Sequence, residues 1–279
     1  MVDRSRTPVG TFDPDIGAFI AEAVRAMGIT LVLGEGATSV ETGAQGRAVA
    51  VITDTGRRLP ADLVVLGLGV RPDTALAVAA GIPLGPSGGV AVDARMRTQV
   101  DGVWAAGDCV ESVHRLSGQR VVVALGTHAN KQGRVVGINI GGGYATFAGV
   151  IGTAITKVCD LEVARTGLSE VEADAAGYQY VTASVDSTTR AGYFPGAAAI
   201  RVKLLAERRS GRLLGAQIAG REGSAKRIDT LAACVWNEMS VDEVLGMDLS
   251  YAPPFSPVWD PVLIAARKAF EAVEADVRE

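Results

Sequence analysis

Residues 98–109, Thr-Gln-Val-Asp-Gly-Val-Trp-Ala-Ala-Gly-Asp-Cys, constrain this chain more than any other stretch. A loop feeds a short apolar strand, Val103 to Ala106, which stops at Gly107-Asp108. Glycine lets backbone come close to a ligand. The aspartate puts an acceptor at a strand's carboxyl end, where open α/β sheets bind ligands. An acceptor there suits a ribose or ribityl hydroxyl. An ordinary buried strand and turn is the plain alternative.

The rest of the chain fits an α/β protein. Its 279 residues are enough for two or three domains. With 48% hydrophobic residues, 21% charged residues and 34 Gly, the composition favours a compact fold over disorder. A net charge of -4 gives no nucleic-acid footprint. No apolar run reaches the roughly 18 residues of a membrane span. Met1 to Arg6 leads into no apolar segment of the signal-peptide kind. Cys109, Cys159 and Cys234 show no CxxC or metal-ligand spacing, so no metal site is expected, and they fit a reducing, cytoplasmic setting. Cys159 and Cys234 read as small hydrophobes, and a packing role is preferred to a redox role for Cys109.

Periodicity supplies the elements. Asp13 can cap a helix with Pro14 at its first position. Ile16, Phe19, Ile20, Ala23, Val24 and Met27 keep helical spacing, and Gly28 closes the helix. Ile29–Leu33 and Asp62–Gly67 read as buried strands. Between them, Val40–Thr42, Ala48–Thr53 and Arg58-Leu59 form an antiparallel ribbon. A helix starts after Gly126 and runs to about Asn139. From about residue 150 the texture changes to strands and then helices, an α+β pattern. The strands are Thr153–Val158, Leu161–Thr166, Tyr180–Ser184, Ile200–Leu205 and Leu213–Ala219. The helices are Glu222–Glu238, Val241–Gly246 and Asp260–Ala275.

The run ending in Ala106-Gly107-Asp108 resembles the second flavin motif of the two-dinucleotide-binding-domain flavoproteins. Gly67-Leu68-Gly69-Val70-Arg71-Pro72 resembles the signature that closes their nicotinamide-dinucleotide domain, with Asp73 where Asn is usual. Gly211 to Gln217 and Lys226 to Asp229 resemble their dimerisation-domain pattern. The resemblance implies an incomplete pair of Rossmann-like halves followed by an α+β dimerisation domain. The expected divisions are 1–72 (NAD(P)H-binding part), 73–149 (FAD-binding part) and 150–279 (dimerisation domain). It implies FAD contacts from Ala106, Gly107 and Asp108. The helix start at Gly126, Thr127 and His128 would face the flavin ring, and Gly69 would approach NAD(P)H. His128 has capping or packing as its alternative. The helix dipole there favours an anionic, reduced flavin.

Two tyrosines indicate the branch. Tyr193 lies in Arg-Ala-Gly-Tyr-Phe-Pro-Gly and Tyr251 in Ser-Tyr-Ala-Pro-Pro-Phe. A phenol offers an apolar plate and a polar tip. These motifs resemble coenzyme A disulfide reductases and the related NADH oxidases and persulfide reductases. In that branch both tyrosines serve the partner subunit's redox cysteine; ordinary interface aromatics are the alternative. No His follows His128, which disfavours the glutathione reductase branch with its C-terminal His–Glu pair. Lys226 and Arg227 read as a solvated helix face, with a coenzyme A phosphate contact as the less favoured reading. His114 is placed on a surface loop.

Neither GxGxxG turn of an intact member is present, nor a redox cysteine motif. The resemblance therefore implies that the chain starts inside the NAD(P)H domain, with about 160 to 170 residues absent. It also leaves apolar strand edges uncovered in the first 70 or so residues. The expected activity is reduction of a disulfide or persulfide such as coenzyme A disulfide by a homodimeric FAD- and NAD(P)H-dependent enzyme. Oxygen or peroxide reduction is one alternative. A dimerising fragment that binds no FAD is the other.

Overall fold

A computed structural model describes residues 1–277, and they divide into two compact units, 1–66 with 153–277, and 67–152. In the first unit, β1 (Val2–Asp3) pairs in parallel with β2 (Val32–Leu33). Helix α1 (Pro14–Ala26) lies between them and is closed by Gly28 at φ +78°. Its buried face carries Ile16, Ile20 and Val24, the spacing expected of an amphipathic helix. Asp13 is the N-cap residue, but its side chain makes no cap hydrogen bond. The expected capping role gives way to contacts with a distant strand, described below. Strands β3 (Ala37–Thr42), β4 (Ala48–Thr53) and β5 (Arg58–Pro60) form the expected ribbon.

The two buried strands expected on either side of this ribbon are corrected. Only Val32–Leu33 of the first is strand. Residues 62–74 hold no regular structure, and Leu63, Val65, Leu66, Leu68 and Val70 are between 70 and 85% exposed. A strand exists by its ladder of hydrogen bonds, and no described residue pairs with this segment.

In the second unit, α2 (Ala75–Ala79) is a short exposed turn of helix. Strands β6 (Ser112–Val113) and β7 (Arg120–Val121) form a small hairpin. Helix α3 (Gly126–Ile140) follows as expected. The core here is Val90, Val92, Met96, Val110 and Val135, with Trp104, Cys109 and Phe147 packed around it. The strand expected at Val103–Ala106 is reduced to a single bridge between Trp104 and Arg97, for want of a continuous partner. His114 is buried and bridges to Val150, not on a surface loop.

The first unit resumes with β8 (Ala154–Val158), β9 (Leu161–Gly167), α4 (Glu170–Ala175), β10 (Tyr180–Thr188), β11 (Ala199–Glu207) and β12 (Leu213–Gly220). The strands make one antiparallel sheet in the order β10-β11-β12-β9-β8. A 3₁₀ turn (Ala225–Arg227), α5 (Ile228–Trp236), α6 (Val241–Leu245) and α7 (Pro261–Val277) complete the unit. The helix expected from Glu222 starts later, because Gly223 adopts φ +83°. Helix α4, missed from sequence, is announced by a capping box between Ser169 and Glu172. Cys234 is buried as expected, whereas Cys159 is exposed at the β8–β9 turn with φ +55°.

Strands β9 and β12 approach closely at Gly167 and Gly215, which are paired in register. A Cβ on Gly215 would stand 1.9 Å from the Leu168 carbonyl oxygen. Gly215→Ala should therefore cost about 1–3 kcal/mol in urea unfolding. An unchanged midpoint would show that the backbone yields without cost.

Both faces of this sheet are covered. Ile200, Val202, Leu204 and Ile218 are 2% exposed or less on one face. The opposite face meets α1, with Val163, Leu161 and Ala219 packed on Phe12, Ile16 and Ile20. A polar row runs across that face, Lys203 opposite Gln217 opposite Arg165, and all three are buried. The Asp13 N–H donates to Gln217 Oε1 at 2.9 Å, and Arg165 Nη1 donates to the Thr11 carbonyl at 2.6 Å. Lys203 Nζ lies 3.0 Å from Asp13 and 2.8 Å from Asp15, and also pairs with Glu170. The three carboxylates converge on a cation that the protein itself supplies.

Candidate functional site

The expected site residues form two groups, one in each unit. In the second unit the Gly107–Asp108 turn lies against the first turns of α3. Gly107 has φ +88°, and a Cβ built on it would stand 3.6 Å from that of Ala129. The Gly107 N–H donates to Gln132 Oε1 at 2.7 Å, and Gln132 Nε2 donates to Ser112 Oγ at 2.9 Å. Gln132, 2% exposed, thus clamps the turn to the helix and to β6. Sequence reading assigned it no role. Its signal was a polar residue on the same helix face as Val135 and Asn139, which are also buried.

Asp108 is exposed, and its carboxylate has no protein partner among the described residues. Helix α3 begins at Gly126 with Leu125 as its N-cap, so no side chain caps its first N–H groups. That end carries the positive pole of the helix dipole. Gly126 and Thr127 are exposed there. His128 is half-buried and meets Phe147 edge-on at 6.4 Å. Burial pushes its pKa down and Lys131 adds to this, against a bond to the Val123 carbonyl. The ring is therefore neutral at pH 7. Its Nδ1 is buried without a partner.

A free carboxylate thus follows a turn packed on the first turns of a helix whose N-terminal end is uncapped, with His128 in that same first turn. This set can accept from hydroxyl groups and donate to an electron-rich edge, and it fits the ribityl chain and ring of a flavin. Ala106 joins the group through its carbonyl, which accepts from Cys109 Sγ at 3.5 Å. Gly69 has φ +79° with no atom within 4 Å of where its Cβ would be. A cleft of about 670 Å³ elsewhere in the unit is lined by Arg95, Arg97, Trp104 and Arg120. Its guanidinium groups are committed to Asn139, Asp93 and the Val92 carbonyl.

The second group is the tyrosine pair. Tyr193 sits on the loop from β10 to β11, and Tyr251 on the loop from α6 to α7. The Ala191 N–H donates to the Pro253 carbonyl at 3.1 Å, which seams the loops together. The Tyr193 phenol lies close enough to that of Tyr251 to influence its ionisation. Tyr251 has its pKa pushed up by partial desolvation and by Tyr193, so it remains a proton donor across neutral pH. Both rings are solvent-accessible, at 79% and 47% exposure. The solvated helix face expected at Lys226 and Arg227 holds only for Lys226, which pairs with Asp229 at 2.5 Å. Arg227 turns inward to Asp260 at 3.0 Å, with a side chain 14% exposed.

Residues 1–133 match the family of pyridine nucleotide-disulphide oxidoreductases, and residues 153–261 match the dimerisation domain of that family. The chain belongs to this family. It is 40% identical over 257 residues to an NAD(P)H sulfur oxidoreductase (CoA-dependent) of Pyrococcus furiosus, covering 92% of this chain and 57% of that protein. An NADH oxidase of Methanocaldococcus jannaschii is 33% identical, with 93% and 57% covered. The solved NAD-dependent persulfide reductase from A. fulgidus superposes with a TM-score of 0.94 at 36% identity, over 98% of this chain and 51% of that one. The chain thus spans little more than half the length of these relatives.

No helix among the described residues is long and apolar enough to cross a membrane.

Proposed function

We propose that this chain forms part of a homodimeric, FAD- and NAD(P)H-dependent enzyme that reduces a disulfide or persulfide such as coenzyme A disulfide. The Gly107–Asp108 turn clamped on α3 by Gln132 is the observation that carries this reading. FAD, when bound, supplies electron transfer between NAD(P)H and sulfur. Asp108 would accept from ribityl hydroxyls, with Ala106 and Gly107 admitting the chain at close range. Gly126 and Thr127 would direct N–H groups at the ring edge, stabilising negative charge there. Neutral His128 would stand beside it. Gly69 would lie along NAD(P)H.

Tyr193 and Tyr251 would serve sulfur chemistry. The Tyr251 Oη–H stays protonated and can donate to a departing thiolate, while Tyr193 Oη holds it in place. The relatives named for CoA-dependent sulfur reduction and persulfide reduction support that substrate class. The relative named NADH oxidase supports a second reading, oxygen or peroxide reduction, at the same residues. The exposed apolar stretch of Phe255, Val258 and Trp259 beside the tyrosines supports a dimer contact there. The three free cysteines fit a reducing, cytoplasmic setting.

The test is retention of FAD. The purified chain, incubated with FAD and dialysed, should keep a visible flavin band. Asp108→Ala should weaken binding by about 1–3 kcal/mol, the cost of a lost buried hydrogen bond. Equal retention in both proteins would remove Asp108 from the site. No retained flavin in either would favour a dimerising chain that binds no cofactor by itself.

A further inference from the structure

We infer that the Arg227–Asp260 ion pair is a positioning device for the Tyr193–Tyr251 pair, an inference that rests on the role proposed above for these tyrosines. Each tyrosine sits on a loop without regular structure, and such loops do not hold two hydroxyls in register unaided. Arg227 lies at the end of the 3₁₀ turn, at the start of α5. Its Nη2 donates to the Thr189 carbonyl at 2.8 Å and to the Phe255 carbonyl at 2.9 Å. Thr189 lies just ahead of Tyr193, and Phe255 just beyond Tyr251. Arg227 Nη1 donates to the Gly223 carbonyl, and Nε to Asp260 Oδ2 at 3.0 Å.

Asp260 is itself fixed. Its Oδ1 accepts from the Val262 N–H at 2.9 Å, in the first turn of α7, and its Oδ2 also accepts from Ser256 Oγ at 3.0 Å. One planar guanidinium therefore ties both tyrosine loops to two helices. A lysine, with one compact ammonium group, cannot reproduce that fork. The spacing of the two phenol groups is the expected product of this arrangement.

The experiment uses the 279-residue chain labelled with 3-fluorotyrosine, with the Tyr251 resonance assigned through Tyr251→Phe and followed by fluorine NMR against pH. In the parent chain, Tyr193→Phe should lower the pH at which Tyr251 ionises by roughly half to one unit, as loss of the neighbouring hydroxyl implies. Arg227→Lys should produce the same drop by itself, and adding Tyr193→Phe to it should produce no further drop. A purely structural Arg227 would change the melting temperature and leave this coupling intact. Unchanged coupling in Arg227→Lys overturns the proposal.

If that variant fails to fold, Asp260→Asn serves instead, since it keeps the acceptor for Val262 and removes the charge that holds Arg227. Retained coupling there overturns the proposal equally. In a full-length enzyme assembled with a relative's flavin and redox-cysteine segment, Arg227→Lys should slow disulfide reduction roughly tenfold without raising KM. Lost coupling with undiminished turnover would leave the positioning role standing and remove the catalytic reading of the tyrosines.

Discussion

Lys203→Met should destabilise the chain by about 3–5 kcal/mol, the cost of stripping one partner from a buried ion cluster. Lys203 is 4% exposed and Asp13 3%. Without the ammonium, Asp13 is left buried beside Asp15 and Glu170 with no opposing charge. Burial alone would push the Lys203 pKa down, but bonds to Asp15, Glu170 and Asp13 more than reverse this, and the net shift is upward. A raised folded pKa gives stability that is complete below the unfolded lysine value of about 10.4 and lost as pH rises through the folded one. Through this lysine the parent should lose stability in strongly alkaline solution, and Lys203→Met should not share that loss. Urea unfolding across pH measures both effects. Adding Asp13→Asn should recover part of the stability. A single variant within about 1 kcal/mol of the parent would mean that the cluster is hydrated in solution.

Tyr251→Phe should keep the fold and slow disulfide or persulfide reduction about 100- to 10,000-fold in a full-length assembly, the range for a positioned acid. The ring supplies packing and the hydroxyl supplies the proton, and Phe removes only the latter. Tyr193→Phe should act in the same direction and more weakly, since Tyr193 holds the donor instead of being the donor. Steady-state rates with coenzyme A disulfide decide this. Parent rates in both variants and in the double variant would reduce the tyrosines to interface packing.

Wherever a signal was local, the sequence was legible. The period of Ile16, Ile20 and Val24 marks α1, and Val262, Ala265, Ala266, Ala269 and Val273 line the buried side of α7 in the same way. All five strands of the large sheet were readable from apolar runs, although β10 and β11 extend beyond the expected ends. The AGD run and the helix after Gly126 were readable as motifs, and the structure sets them side by side. The strands expected at 29–33 and 62–67 were not secure, because apolar content specifies a strand only where a neighbour completes its ladder. The inward turn of Arg227 was also hidden, since its three carbonyl partners lie on segments far apart in sequence.

By itself, the sequence determined the order and kind of most elements, the family, and the glycine, aspartate and tyrosines that nominate two sites. Each of these depends on spacing within a dozen or so residues. Tertiary structure alone decided which faces are buried and which polar groups meet. Lys203 alternates with the apolar residues Val202 and Leu204 in β11, and Arg165 interrupts the apolar face of Leu161 and Val163 in β9, so neither residue's burial follows from the two-residue period of its strand. They are buried because α1, more than a hundred residues earlier in the chain, covers that face and brings Asp13 and the Thr11 carbonyl to meet them. A charge is buried stably only when an opposite charge or a hydrogen-bond acceptor arrives with the covering element, and that arrival is a property of the fold.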